Sequence, residues 1–86
     1  MAQMTDIEPI RRFIRDHFRS LKKAALTDDQ ELFPSIIDSS GVVELADFVE
    51  EAYGIRLSEG DLLAYAENFR SLNTIAALIE RTRRQN

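Results

Sequence analysis

The 86-residue chain has no cysteine and a single histidine, His17. Disulfides and Cys-ligated metals are therefore excluded, the chain carries no thiol of its own, and a reducing interior suits it. A serine hydrolase would need a base to activate its nucleophile, yet His17 falls at the edge of an apolar stripe as a boundary residue, and no G-x-S-x-G elbow is present. The acidic residues lack the histidine or cysteine spacing that would close a metal shell. No uninterrupted apolar run approaches a membrane span, and "MAQMTDIEPIRRF" lacks a basic segment followed by an apolar core, so the expected location is cytoplasmic, with no membrane partner. Two prolines and three glycines leave long stretches free to be helical, and no repeat or linker divides the sequence.

What is present describes one small domain spanning residues 1–86. A hydrophobic content of 44% with 30% charged residues is ordinary for a folded chain and argues against disorder. A chain of this length buries only about 60–65% of its unfolded surface, so a deep, water-excluding active site is not expected. The net charge of −4 hides a sharper division. Met1 to Leu26 has six basic and three acidic residues, and Arg70 to Asn86 has four basic and one acidic. Between them, Thr27 to Phe69 sets Arg56 alone against eleven acidic residues, a charge of −10. Such a block repels phosphate backbones and attracts basic protein surfaces, so nucleic acid is a poor partner.

Four helical segments emerge from the periodicity. Ile7, Ile10, Ile14, Phe18 and Leu21 form one stripe, with Asp6 as N-cap, Pro9 in the first turn, and Arg12, Arg15 and Arg19 facing water. From about Lys23 to Asp38 the pattern lapses; Pro34 blocks helix continuation, and Leu32, Phe33, Ile36 and Ile37 look like anchors of a long loop. A second helix begins near Ser39 or Ser40 and ends at Tyr53, where Gly54 supplies the stop. Its buried stripe is Val42, Leu45, Ala46, Val49, Ala52 and Tyr53, while Glu44, Asp47 and Glu51 lie together on the opposite side with Glu50 beside them. A short third helix, capped by Ser58, covers about Asp61 to Ala66. The fourth begins after Ser71, carries Leu72, Ile75, Ala76, Leu78 and Ile79 to the core, and ends in "RTRRQN", whose charges complement a helix C-terminus. The expected fold is all-α, a four-helix bundle with a long first loop and a short third helix.

The stretch "IIDSSGVVEL" sets Ser39 and Ser40 at the start of the second helix. Their plain structural role is capping, since a serine before a helix satisfies free N–H groups. The functional alternative uses the same place: a helix N-terminus, with its unpaired N–H groups and partial positive charge, suits a phosphate ester attached there. Gly41 would let another molecule approach the backbone closely. Asp38 could bind a metal ion or basic residue of an enzyme installing that phosphate, or could itself be the cap.

Asp38-Ser39, then Val43-Glu44-Leu45, then an acidic helix ending at Tyr53-Gly54-Ile55, resembles the acyl carrier protein family around its phosphopantetheine attachment site. The similarity extends over about Leu32 to Ile79. It implies a single carrier domain with the acyl-carrier type of bundle, in which the serine directly after the aspartate is modified: Ser39 rather than Ser40. The resemblance also implies a covalent 4'-phosphopantetheine, added by a phosphopantetheinyl transferase, whose thiol carries an acyl, aryl or aminoacyl group as a thioester. Such a protein is not an enzyme; it delivers cargo between an adenylating ligase or synthase and downstream acyl-accepting enzymes. Partners would recognise the second helix, with Asp38, Val43, Glu44, Asp47, Glu50 and Glu51 as candidate contacts. Val43 lies off the buried stripe, four residues after Ser39, as an apolar contact at the centre of that surface.

The sequence departs from the fatty-acid-synthesis type at Ser40, where those carriers usually have leucine, and in the longer segment from Leu57 to Leu72 that includes "ENFRSL". "IDSSGVVEL" instead resembles stand-alone carriers serving adenylating ligases in specialised pathways. The competing expectation is a non-catalytic acidic helical interaction module with no prosthetic group, in which the serines only cap.

Overall fold

A computed structural model describes residues 5–17 and 27–85. Every regular element among them is helical: α1 Glu8–His17, α2 Ser39–Tyr53, α3 Glu59–Leu63, α4 Tyr65–Asn68 and α5 Leu72–Gln85. The expected positions of Phe18, Arg19, Leu21 and Lys23 lie outside the described residues.

Asp6 Oδ1 accepts the N–H of Glu8 at 3.1 Å, satisfying a donor that the first turn of α1 leaves free. Ile10 and Ile14, one turn apart, are fully buried. The described segment that leads into α2, residues 27–38, is fastened to the rest of the fold. Leu32 N–H donates to the Arg70 carbonyl at 2.6 Å, and the N–H groups of Ile36 and Ile37 turn back onto the Leu32 carbonyl. Arg11 holds the Asp28 carboxylate at 2.6 Å, and the Asp28 carbonyl accepts from Asn73 N–H. The expected anchors behave in two ways: Leu32 and Ile37 are buried completely or nearly so, whereas Phe33 and Ile36 pack only partly against the core.

The second helix spans the expected residues. At its end Gly54 takes φ 65°, ψ 38°, and its N–H and that of Ile55 both reach the Glu50 carbonyl. This left-handed C-terminal turn is the conformation that favours glycine, and a Cβ there would meet no atom, so the requirement is conformational. Val42, Leu45, Ala46 and Val49 are buried, Tyr53 is half-buried, but Ala52 is exposed, correcting its place in the stripe. One methyl gains only about 0.8 kcal/mol on burial, so an alanine near a helix end does little to fix which face turns inward.

A second correction concerns the helix count. The segment expected as one helix over Asp61–Ala66 starts earlier, at Glu59, and divides at Ala64, whose φ −91°, ψ 34° ends α3 before α4 adds one more turn. Ser58 caps α3 reciprocally: its Oγ accepts from Asp61 N–H at 3.0 Å while Asp61 Oδ2 accepts from Ser58 N–H at 3.2 Å. Neither short helix buries a residue. The last helix is capped in a similar reciprocal way by Ser71 and Thr74. Its Leu72, Ile75, Ala76, Leu78 and Ile79 are all fully buried, as the spacing requires.

Leu72, Ile75, Leu78 and Ile79 form one core with the buried face of α2 and with Ile10, Ile14, Leu32, Ile37, Ile55, Leu57 and Phe69. At one margin of the fold, the Tyr53 hydroxyl donates to the Asp6 carbonyl, and the Arg83 guanidinium lies 5.8 Å from the Tyr53 ring centroid. Desolvation pushes the Tyr53 hydroxyl up to about 12, helped by the Asp6 and Glu8 charges and opposed by Arg83. No helix among the described residues is long and apolar enough to cross a membrane.

Candidate functional site

The N-cap of α2 is Asp38. Its backbone is extended (φ −98°, ψ −173°) and its Oδ1 accepts the Gly41 N–H at 2.9 Å. Capping by either serine is therefore corrected: Ser39 and Ser40 are the first two residues inside the helix, and both are exposed. Aspartate wins because its carboxylate both satisfies the donor and carries a negative charge at the positive end of the helix. The hydroxyls and N–H groups of Ser39 and Ser40 take no hydrogen-bond partner among the described residues. Gly41 is buried with its N–H occupied, so it does not offer open backbone to a second molecule, contrary to expectation.

Ser39 stands at one end of a cleft of about 330 Å³. One wall is α2, contributing Val42, Val43, Ala46, Asp47 and Glu50; the other is Leu62 of α3 and Tyr65 of α4. The Phe33 ring meets Tyr65 edge-on at 5.0 Å and supports that wall from the long loop. Val43 is 63% exposed, Leu62 41% and Leu63 77%, the three large apolar side chains left open to solvent among the described residues. Sequence periodicity located Val43 but not Leu62, Leu63 or Tyr65. A usable signal was present: adjacent leucines in a helix that starts at a Ser58 cap cannot both turn inward.

The carboxylates expected to meet partners divide into two kinds. Glu44, Asp47 and Glu51 are exposed and make no ion pair among the described residues. Asp47 rims the cleft, whereas Glu51 faces a neighbouring hollow with Ile55 and Arg56. Glu50 is half-buried and committed: its Oε2 accepts the Leu57 N–H at 2.8 Å, tying α2 to the segment that leads into α3. It lines both hollows but also holds the backbone between them.

On the other side of α2 the Phe48 ring stacks on Phe13 at 4.4 Å, and Phe13 on His17 at 4.0 Å. His17 Nδ1 lies 2.9 Å from the Phe13 carbonyl. That arrangement fits the boundary role expected of the histidine. Comparison with protein-family models, with curated proteins and with solved structures yields no match to this chain. The acyl-carrier resemblance rests on the residues quoted above.

Proposed function

We propose that the chain is an acyl carrier protein in which Ser39 bears a covalent 4'-phosphopantetheine. The observation that carries this reading is the position of Ser39: first residue of a helix already capped by Asp38, exposed, hydroxyl unengaged, at the end of an apolar cleft. The N–H groups of Ser39 and Ser40 favour an anionic phosphoester at the helix end, and the cap leaves the serine oxygen free to form it. When attached, the arm supplies the thiol that the cysteine-free chain lacks and carries an acyl, aryl or aminoacyl group as a thioester.

The chain itself catalyses nothing on this reading. Val43 and the exposed carboxylates Glu44, Asp47 and Glu51 present an apolar contact beside negative charge, which suits basic patches on a phosphopantetheinyl transferase, an adenylating ligase or synthase, and the acceptors that follow. Among the described residues, three longer helices, a divided segment between the last two of them and a fastened stretch before α2 are compatible with an acyl-carrier bundle serving a specialised biosynthetic pathway in the cytoplasm. Exposure of Leu62 and Leu63 next to the acidic helix also favours a second reading, an interaction module without a prosthetic group. Co-expression with a broad phosphopantetheinyl transferase and intact-protein mass spectrometry separates the two. A mass increase of one phosphopantetheine supports the carrier, and an unchanged mass leaves the module.

A further inference from the structure

We infer that residues 58–68, which carry the short helices α3 and α4, open and close as one unit, and that Arg81 of α5 is the latch holding that unit shut. The unit has anchored ends and an unburied middle. The chain enters it from buried Leu57, whose N–H is held by Glu50 Oε2, and leaves it at fully buried Phe69. No residue from Ser58 to Asn68 is buried, and of their large side chains Tyr65 alone packs partly against the core among the described residues. Helices usually hold their place by burying an apolar face, so these two depend on polar ties instead.

Those ties converge on Asn68. Its Nδ2 donates to the Asp61 carbonyl at 2.9 Å, which spans the break at Ala64 and couples α4 to α3. Its Oδ1 accepts from Arg81 Nη2 at 3.3 Å, and the same nitrogen lies 3.9 Å from Asp61 Oδ1. Asp61 Oδ2 is committed to the Ser58 N–H, so the guanidinium reaches one side chain of each short helix, including the one that fixes the start of α3. Thr74 of α5 also donates to the Asn68 carbonyl at 3.0 Å, but that tie sits at the exit of the unit and does not reach α3. The Arg81 side chain is 48% exposed, and an ion pair so open to water contributes little, as a reversible latch requires. Arg81 does not line the cleft beside Ser39, yet Leu62 and Tyr65, which do, ride on the unit it holds. Release would move that wall and uncover Val42 and Ala46, both buried in the closed form.

The test is amide hydrogen exchange, read residue by residue by NMR on the full, unmodified chain. Leu62, Ala64, Asn68 and Phe69 report the unit, because each N–H is bonded within it or at its edge; Val42 and Ile75 report α2 and α5. Arg81→Met, which keeps the apolar stem and removes charge and donors, should speed exchange at the first four by a common factor of roughly 1.5 to 5, the range for an exposed ion pair, and leave Val42 and Ile75 as they were. Asn68→Ala should speed the same amides. Adding Arg81→Met to it should then raise exchange by less than the factor Arg81→Met produces alone, since the two side chains share one network. Unchanged exchange in Arg81→Met, a rise spread equally over Val42 and Ile75, different factors for α3 and α4, or factors that simply multiply in the double variant would each overturn the latch. All of this is measured without the prosthetic group, so its failure leaves the carrier reading intact, and an unmodified Ser39 leaves the latch intact.

Discussion

Asp38 Oδ1 accepts the Gly41 N–H at 2.9 Å, so the residue before Ser39 starts the helix and Ser39 is released from that task. The two neighbours can be separated by stability. Asp38→Ala should lower the unfolding free energy by about 0.5–2 kcal/mol, Asp38→Asn should retain most of it because asparagine caps equally well, and Ser39→Ala should stay within about 0.5 kcal/mol. Urea unfolding followed by helical circular dichroism measures all three. A large loss in Ser39→Ala would make that serine structural after all.

The same substitutions carry the chemistry. Ser39→Ala should abolish phosphopantetheinylation, and Ser40→Ala should leave it largely intact, as read by the mass of each co-expressed variant. Modification of the Ser39→Ala protein would move the attachment site to Ser40.

Glu50 is expected to behave unlike its acidic neighbours. Its carboxylate holds the Leu57 N–H at 2.8 Å in a partly buried position, so Glu50→Ala should cost about 1.5–2 kcal/mol, the lower end of the range for a hydrogen bond to a charged group. Glu51→Ala, one residue along and exposed, should stay within about 0.5 kcal/mol. For a domain of this length, a 1 kcal/mol loss lowers Tm by about 4–8 °C, so thermal unfolding resolves the pair. Equal Tm values would mean that the Leu57 bond contributes nothing.

Tyr53 gives a pH dependence of definite sign. Its hydroxyl titrates at about 12 in the fold because burial, then the Asp6 charge, disfavours the phenolate. The unfolded chain loses this proton near pH 10, so between about pH 10 and 12 the native state binds more protons and stability falls as pH rises. Below pH 10 the contribution is fully present. Because the side chain is only half-buried, solvent screening should limit the loss to about 1 kcal/mol. Tyr53→Phe should be less stable at neutral pH, losing the hydrogen bond to the Asp6 carbonyl, and should show a flatter alkaline limb. Parallel alkaline limbs for the two proteins would refute the assignment.

Much of this fold is legible from spacing because the signals are redundant where they succeed. The last helix has Ser71 at its start and five inward positions at helical intervals, so cap and stripe agree. The second helix is bounded by a polar start and Gly54 for equally local reasons. The break at Ala64 has no such mark: neither glycine nor proline announces it, and the short helices on either side bury nothing that could impose a period. The candidate site divides in the same way. Ser39, Val43 and the acidic stripe lie on one helix and share its periodicity, whereas the opposite wall of the cleft, Leu62 and Tyr65, joins them only through tertiary packing. Asp38 and Ser39 could not be ranked as caps in advance, since both residue types serve and the choice depends on where the loop anchored by Leu32 and Ile37 delivers the chain.

The exposed carboxylates Glu44, Asp47 and Glu51 project from α2 without ion pairs among the described residues, in a segment whose net charge is −10. If the transferase meets this face with basic residues, attraction acts mainly on the encounter. Glu44→Lys or Asp47→Lys should then slow modification of Ser39, chiefly through association, and the defect should shrink as salt shortens the Debye length from about 10 Å at 0.1 M toward about 3 Å at 1 M. Stability should hardly change, because ordinary surface substitutions fall within about 0.5 kcal/mol. Arg12→Glu reverses an exposed charge on α1, away from the cleft lining, and should have the smaller effect. Rates for all three variants across a salt series decide the matter. A common, salt-independent rate would remove the acidic stripe from recognition and leave that role to Val43 and to Leu62, which lines the same cleft.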